Sequence, residues 1–501
     1  MREKKLRPQI KTTYMHANEG TIYRTNTYIF ALLVLFLGAV TVWDLQLFSS
    51  LCLDETVTAW VISGGWPQLL HRSVQFQSSP VYYFLPWLAI KLAGVSEVAI
   101  RLPSLFAMLA ATFVVWRLGK FLFDAETGVI AALLFVSLKQ IALASVGARP
   151  YAVALLAVIG AMFFLIRWLN HRDVGNAIGY IILASLTVYL HILFSLMFLV
   201  HLFWIFLFTR AGGWVRIKHL LWLYAGVILL LVPFFPQFVS LIARRNILSF
   251  APNPSLWSAV ETPAKILVAV ALYMLIMRLA YRKYSIRRLD IEPRVRVFWG
   301  LFIWAFLPPL LLYLITLFSP YHLYVEHYFL CAEPGLVLFL AGVLRSLRPV
   351  AVMRIIVMAL AVIWIISTFH SRSVENWRAA IQVAREFART SSSPVLIQSG
   401  LIESDQADWL RDPEKKSYLL APISFYPVNA QAVPLPSHVN PATKTYLDEL
   451  AQQQHPSLDH FLVIQNNPPL HDPLKDELQS FGFKFLTVGQ FGSIALFIFE
   501  R

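Results

Sequence analysis

Four residues are of types that could do chemistry together: the adjacent carboxylates Asp54 and Glu55, and the proline-flanked arginines Arg101 and Arg149. A carboxylate that can take a proton from a hydroxyl or an amine is a general base. Guanidinium forks suit phosphate, whose oxygens they meet in pairs. Together these types would support base-assisted transfer from a phosphate-bearing compound. Plainer readings stand beside that one. Asp54 and Glu55 would also cap the N-terminus of a following helix, where acids are favoured. Arginines at helix ends also snorkel to a membrane interface. Asp54 and Glu55 are as well suited to a divalent cation as to none, and the metal question stays open.

The elements that must position these residues follow from composition. Of the 501 residues, 58% are hydrophobic and only 14% charged, against about 25% charged in a soluble domain. Charge is scarce from Tyr28 to His370 and ordinary after it. Thr27–Phe48, Leu220–Pro236, Val297–Phe318 and Ala351–Phe369 approach or exceed the eighteen or so apolar residues that cross a bilayer. The net charge of +14 sits in short loops between such runs. That is positive-inside topology rather than a nucleic-acid surface. Cys52 and Cys331 provide no disulfide framework or metal spacing. The basic stretch 1–27 runs into a span too long for a signal-peptide core, so no cleavable signal is expected.

These signals predict an α-helical polytopic membrane protein with about eleven spans: roughly 28–48, 102–119, 127–144, 149–168, 177–190, 191–209, 218–236, 262–281, 297–318, 327–345 and 350–369. With the N-terminal tail (Arg2, Lys4, Lys5, Arg7, Lys11) cytoplasmic, the loops bearing Arg117 and Lys120, Arg167 and Arg172, Arg210 and Arg216, Arg282 to Arg296, and Arg345 and Arg348 all fall inside. Only Arg244-Arg245 break the pattern. Ser79–Gly94, apolar but holding Pro80, Pro86 and Lys91, is expected to lie on the outer surface. The first outer loop is then 49–100, with one amphipathic helix around Glu55–Phe76. The parity places residues 370–501 outside as a soluble α/β domain. Its first helix carries Trp377, Ile381, Ala384 and Phe387 on one face, with Ser373 as N-cap. Strands are expected at Pro394–Gln398, Phe461–Gln465, Phe483–Val488 and Ser493–Phe499, and helices at Pro441–Gln454 and Pro473–Phe481. Further cavity candidates are His191, His327 and Tyr328, because ionisable groups within a bilayer usually face a cavity, together with Tyr82 and Tyr83 of the proline–aromatic surface segment. A lone histidine there is still more often a packing residue.

The order of short motifs resembles the GT-C membrane glycosyltransferases, in particular protein O-mannosyltransferases and lipid A aminoarabinose transferases. The motifs are Asp54-Glu55, Ser79-Pro80-Val81-Tyr82-Tyr83, Arg101-Leu102-Pro103, Arg149-Pro150-Tyr151, Tyr189-Leu190-His191, His327-Tyr328 and Glu375-Asn376-Trp377. The resemblance covers most of residues 28–390. It implies a polyprenyl-phosphate-linked sugar as donor, with Asp54 as base and Glu55 beside it. Arg101, Arg149 and Tyr151 would hold the departing phosphate. The acceptor would be a lipid, a glycan or a protein hydroxyl. Two departures matter. Many relatives have two prolines where this chain has Ser79-Pro80, and an acid where it has Gly147, so Arg149 loses one partner. His71 is given no role. The rival readings are a transporter or flippase of a lipid-linked glycan, with charges at the midplane, and a non-catalytic subunit keeping the fold. The absence of a usable N-glycosylation sequon favours a bacterial inner membrane.

Overall fold

The computed structural model describes residues 28–76, 80–209, 217–243, 255, 295–369, 375–453 and 460–500, apart from 30, 348, 392, 470 and 471. The basic N-terminal tail, the expected span at 262–281, Arg210, Arg216, Arg244, Arg245, Arg282 to Arg294, and Ser373 lie outside the described residues.

Long apolar runs become helices because only a helix satisfies every backbone N–H and C=O within one segment. In chain order the membrane-type helices are α1 (Ala31–Leu47), then α5 (Glu97–Leu122), α6 (Ala125–Ser137), α7 (Lys139–Val146), α8 (Tyr151–His171), α9 (Val174–Leu190), α10 (Ile192–Phe208), α11 (His219–Ile242), α12 (Val295–Phe318), α13 (Glu326–Arg345) and α14 (Val350–Thr368). Between α1 and α5 lie α2 (Leu53–Ile62), α3 (Trp66–Phe76) and α4 (Pro80–Ala93). Six helices are long and apolar enough to cross a membrane among the described residues, or seven if the bent pair α6–α7 is one span. With the shorter apolar helices α1, α9 and α10, these fall where ten of the eleven spans are expected. The central α8 is largely buried, whereas α11 and α14 leave most of their apolar surface uncovered by protein. Lipid would cover such surface at no cost.

The expected straight span at 127–144 is instead broken. The chain is extended at Leu138 and turns by 68° into α7, which brings the polar Gln140 to the end of the bundle that holds Arg101 and Arg149. The crossing of α5 and α6 is close: a Cβ on Gly128 would lie 2.6 Å from the Trp116 carbonyl oxygen, so only glycine fits. At the α5–α6 turn Arg345 pairs with Asp124 at 3.2 Å and with Glu126 at 3.1 Å, and Arg354 lies 4.2 Å over the Tyr28 ring. These contacts gather the start of α1, the α5–α6 turn and the α13–α14 turn. The opposite end of the bundle carries Asp54, Arg101 and Arg149.

The first outer loop departs from its expectation in one respect. One helix at 55–76 becomes two, α2 and α3, because Ser63-Gly64-Gly65 interrupts it. The α4 helix is only 14 residues long and leaves Val81, Phe84, Leu88 and Leu92 uncovered by protein.

After α14 the chain builds a five-stranded sheet of order β2-β1-β3-β5-β4, from β1 (Val395–Gln398), β2 (Ala432–Pro434), β3 (His460–Asn466), β4 (Lys484–Phe491) and β5 (Ile494–Glu500). Strand β1 runs parallel to both neighbours, while β5 is antiparallel to β3 and β4. Helix α15 (Trp377–Thr390) is capped by Asn376, whose side chain accepts from Ala379 N. Strand β2 was hidden among prolines; it is an edge strand, where proline is tolerated. The short helices α16 (Ala407–Arg411), α17 (Pro413–Leu419) and α18 (Ala421–Phe425) follow β1, and α19 (Pro441–Gln453) and α20 (Pro473–Ser480) flank β3.

Candidate active site

Helix α2 begins a few residues beyond α1, and its first turn carries both acids. Consecutive helical residues point about 100° apart, so Asp54 and Glu55 meet different surroundings. The Glu55 side chain is 4% exposed and faces Arg101, itself 3% exposed. Arg101 donates from Nε to Glu55 Oε1 at 2.8 Å and from Nη2 to Oε2 at 2.5 Å. Oε1 also accepts from Ala148 N at 2.8 Å, and Oε2 from Cys52 N at 2.9 Å. A carboxylate has about four acceptor sites, and all four are occupied.

Arg101 is equally engaged. Its Nη1 donates to the carbonyls of Leu47 at 2.9 Å and Ser49 at 2.7 Å, and more weakly to Gln46; its Nη2 also reaches Ser50 O. The Gln46 and Leu47 carbonyls belong to the last turn of α1 and those of Ser49 and Ser50 to the link that follows it. Two of the expected assignments are therefore corrected. Glu55 has no lone pair free for substrate, and Arg101 has no N–H left for a phosphate. They are a buried frame joining the end of α1, the start of α2 and the α7–α8 turn. Thr58 completes it by donating from Oγ1 to Ala148 O at 2.7 Å.

That frame sets the other acid and the other arginine face to face. Asp54 Oδ2 lies 2.7 Å from Arg149 Nη1, with the side chains 51% and 32% exposed. Asp54 thus takes the place of the acidic partner that Gly147 does not supply. The Arg149 guanidinium also lies 4.8 Å over the Tyr151 ring. Tyr151 sits between two imidazoles, with its ring 5.2 Å from those of His191 and His327. The Tyr328 ring is 4.5 Å from His327 and 5.4 Å from His191.

A cavity of about 290 Å³ opens here, lined by Glu55, Arg101, Arg149, Tyr151 and His327, with Gln46, Ser49 and Gln140 among the other polar residues. Asp54 reaches it through Arg149 rather than lining it. His191 and Tyr328 stand behind the lining, and His191 Nδ1 has no hydrogen-bond partner among the described residues. Tyr82 and Tyr83 are buried against each other, 5.3 Å between rings, and do not line the cavity. His71 pairs instead with Glu414 at 2.9 Å. Gln140, which donates to Glu326 at 2.5 Å, was missed because hydropathy could not show the break at Leu138. No group of three or more His, Cys, Asp or Glu side chains is set to hold a metal among the described residues.

A family model described as dolichyl-phosphate-mannose-protein mannosyltransferase matches residues 77–239. No curated protein matches the sequence. Among solved structures, the fold is similar to that of ArnT from Cupriavidus metallidurans bound to undecaprenyl phosphate. The TM-score is 0.57 at 13% identity, over 93% of this chain and 97% of that one. The apo form of the same ArnT aligns at 12% identity and a TM-score of 0.56, over 95% of this chain and 98% of that chain. The arabinofuranosyltransferase AftD from Mycobacteria aligns at 13% identity and a TM-score of 0.53, over 95% of this chain but only 40% of AftD. The fold is thus similar to that of ArnT, as expected of the GT-C type, with a small sheet domain after the helical bundle.

Proposed function

We propose that this protein transfers a sugar from a polyprenyl-phosphate-linked donor to an acceptor at the outer membrane face. Asp54 is the base and Arg149 the ligand of the departing phosphate. The observation that carries this is the pairing of an exposed carboxylate with a partly exposed guanidinium beside a cavity, next to a second acid–arginine pair whose hydrogen bonds are all taken. Of the two proteins with a similar fold, AftD is an arabinofuranosyltransferase by name, and ArnT is described with undecaprenyl phosphate bound.

The ion pair suggests an order of events. A donor phosphate brings its own negative charge to Arg149 and displaces the Asp54 carboxylate. Asp54 then takes a proton from the acceptor hydroxyl or amine, whose oxygen or nitrogen forms the new bond to the anomeric carbon. The bond from that carbon to the phosphate oxygen breaks, and the electron pair leaves with the phosphate. Arg149 meets the charge that develops there. Such a leaving group needs no acid, because a phosphate departs ionised. Tyr151 and His327 line the space where the sugar would lie, with His191 and Tyr328 behind them. Tyr82 and Tyr83 serve as buried support. The acceptor class follows from the same chemistry: any hydroxyl or amine of a lipid, glycan or protein presented at that face.

The test uses the purified protein in vesicles holding a radiolabelled polyprenyl-phosphate sugar. Label that leaves the lipid phosphate and becomes covalently bound to an acceptor supports the reading. Donor that changes leaflet with its sugar still attached overturns it in favour of a transporter.

A further inference from the structure

The link between α1 and α2, residues 48–52, has no regular structure, yet its polar groups and the first N–H of α2 are held from two sides. The membrane helices hold one side, through Arg101 on the carbonyls of Ser49 and Ser50 and Glu55 on Cys52 N. The outer α/β domain holds the other. Arg378 donates from Nη2 to Phe48 O at 3.0 Å and from its backbone N to Ser50 Oγ at 3.1 Å. The Tyr426 hydroxyl accepts from Leu51 N at 3.0 Å and donates to Glu97 at 2.9 Å. Glu375 Oε2 accepts from Leu53 N at 2.6 Å and from Trp377 Nε1 at 2.9 Å.

Leu53 N is one of the unpaired donors at the first turn of α2, and the next residue is Asp54. The sheet closes on the same point. Gly400, just past β1 and at φ +89°, lies beside α2: a Cβ on it would meet Leu53 Cδ2 in van der Waals contact at 3.8 Å. Further out, Trp60 of α2 donates to Ser417 Oγ at 2.8 Å and packs edge-on against Tyr418.

We infer that the outer domain is a positioning element of the site, and that Glu375 is the positioning residue that holds the N-terminus of α2 so that Asp54 meets Arg149. Both bonds end on one oxygen of Glu375, so an amide oxygen can replace it. Only the kinetic consequence rests on the transfer reading; the placement of α2 does not.

The test compares Glu375→Ala and Glu375→Gln in the full chain. One readout is amide hydrogen exchange of the segment 48–60; the other is transfer from a radiolabelled polyprenyl-phosphate sugar. Glu375→Ala is expected to speed exchange at 53–56 by about tenfold or more. It should also lower kcat by roughly tenfold to a hundredfold, the scale of an ångström of misplacement, at an almost unchanged donor KM. Glu375→Gln restores both. Exchange and kcat at wild-type values in Glu375→Ala would overturn the inference, as would a Gln variant as impaired as the Ala one. If Ala prevents folding, Glu375→Asp, too short to reach Leu53, carries the same expectation. Should the wild type transfer no sugar at all, the proposed function fails, and the exchange experiment alone decides the positioning role.

Discussion

Asp54 and Arg149 meet at 2.7 Å across an open contact, while Glu55, the next residue, is sealed against Arg101. Pairs of these two kinds respond differently to disturbance. An exposed pair contributes little to stability, about 0–1 kcal/mol, and can be parted by a competing anion. A buried pair costs far more to break, because the survivor is left charged and unpaired.

The exposed pair makes Arg149 the sensitive point for donor recognition. Arg149→Lys keeps the charge but loses the fork that meets two phosphate oxygens and the planar face that lies on Tyr151. The variant should fold normally and raise the donor KM by about tenfold to a hundredfold, the worth of one charged hydrogen bond. Steady-state kinetics with a polyprenyl-phosphate sugar measures this directly. A KM at the wild-type value would move phosphate recognition to another residue.

The sealed pair predicts a stability effect instead. Glu55→Gln or Arg101→Ala should destabilise the protein by about 3–5 kcal/mol, read as a lowered Tm in detergent. Arg101→Lys should not rescue it, because one ammonium cannot serve the two Glu55 oxygens and the Leu47 and Ser49 carbonyls. A wild-type Tm in Glu55→Gln would contradict the frame.

Much of this site is legible in the sequence, and the missing part has definite causes. Residue types, prolines and loop charge are enough to bring Asp54, Arg101, Arg149 and His327 to one end of the bundle. Adjacency could not say which acid is free, because that depends on the rotation of α2 about its axis. The rotation is set by Arg101 on one side and Glu375 on the other, residues far away in the chain. Nor could hydropathy see the turn at Leu138, since Val136, Leu138 and Ile141 read as one apolar run. The strands of the C-terminal domain are readable as short apolar runs, except β2, whose Pro434 argues against a strand unless its edge position is known.

Glu375 carries a pH signature. Burial raises its pKa above the ordinary 4.5, and the negative charges of Asp54 and Glu55 add to the effect, while the bonds from Trp377 and Leu53 oppose it. The folded state therefore binds this proton more tightly than the unfolded state. Its contribution is fully present below pH 4.5 and is lost as the pH rises through the raised folded value. Glutamine does not titrate. Thermal unfolding from about pH 4 to about pH 8 should show the Glu375→Gln variant gaining on the wild type as pH rises. Parallel curves would mean that Glu375 is not shifted.

The central claim is that Asp54 reacts while Arg149 holds the phosphate, and Asp54→Asn separates the two. The asparagine removes the base and leaves Arg149 without its competing carboxylate. Single-turnover transfer from a radiolabelled polyprenyl-phosphate sugar should slow by about a hundredfold or more, with polyprenyl phosphate bound as tightly as in the wild type or more tightly. Transfer at the wild-type rate in Asp54→Asn would contradict the account.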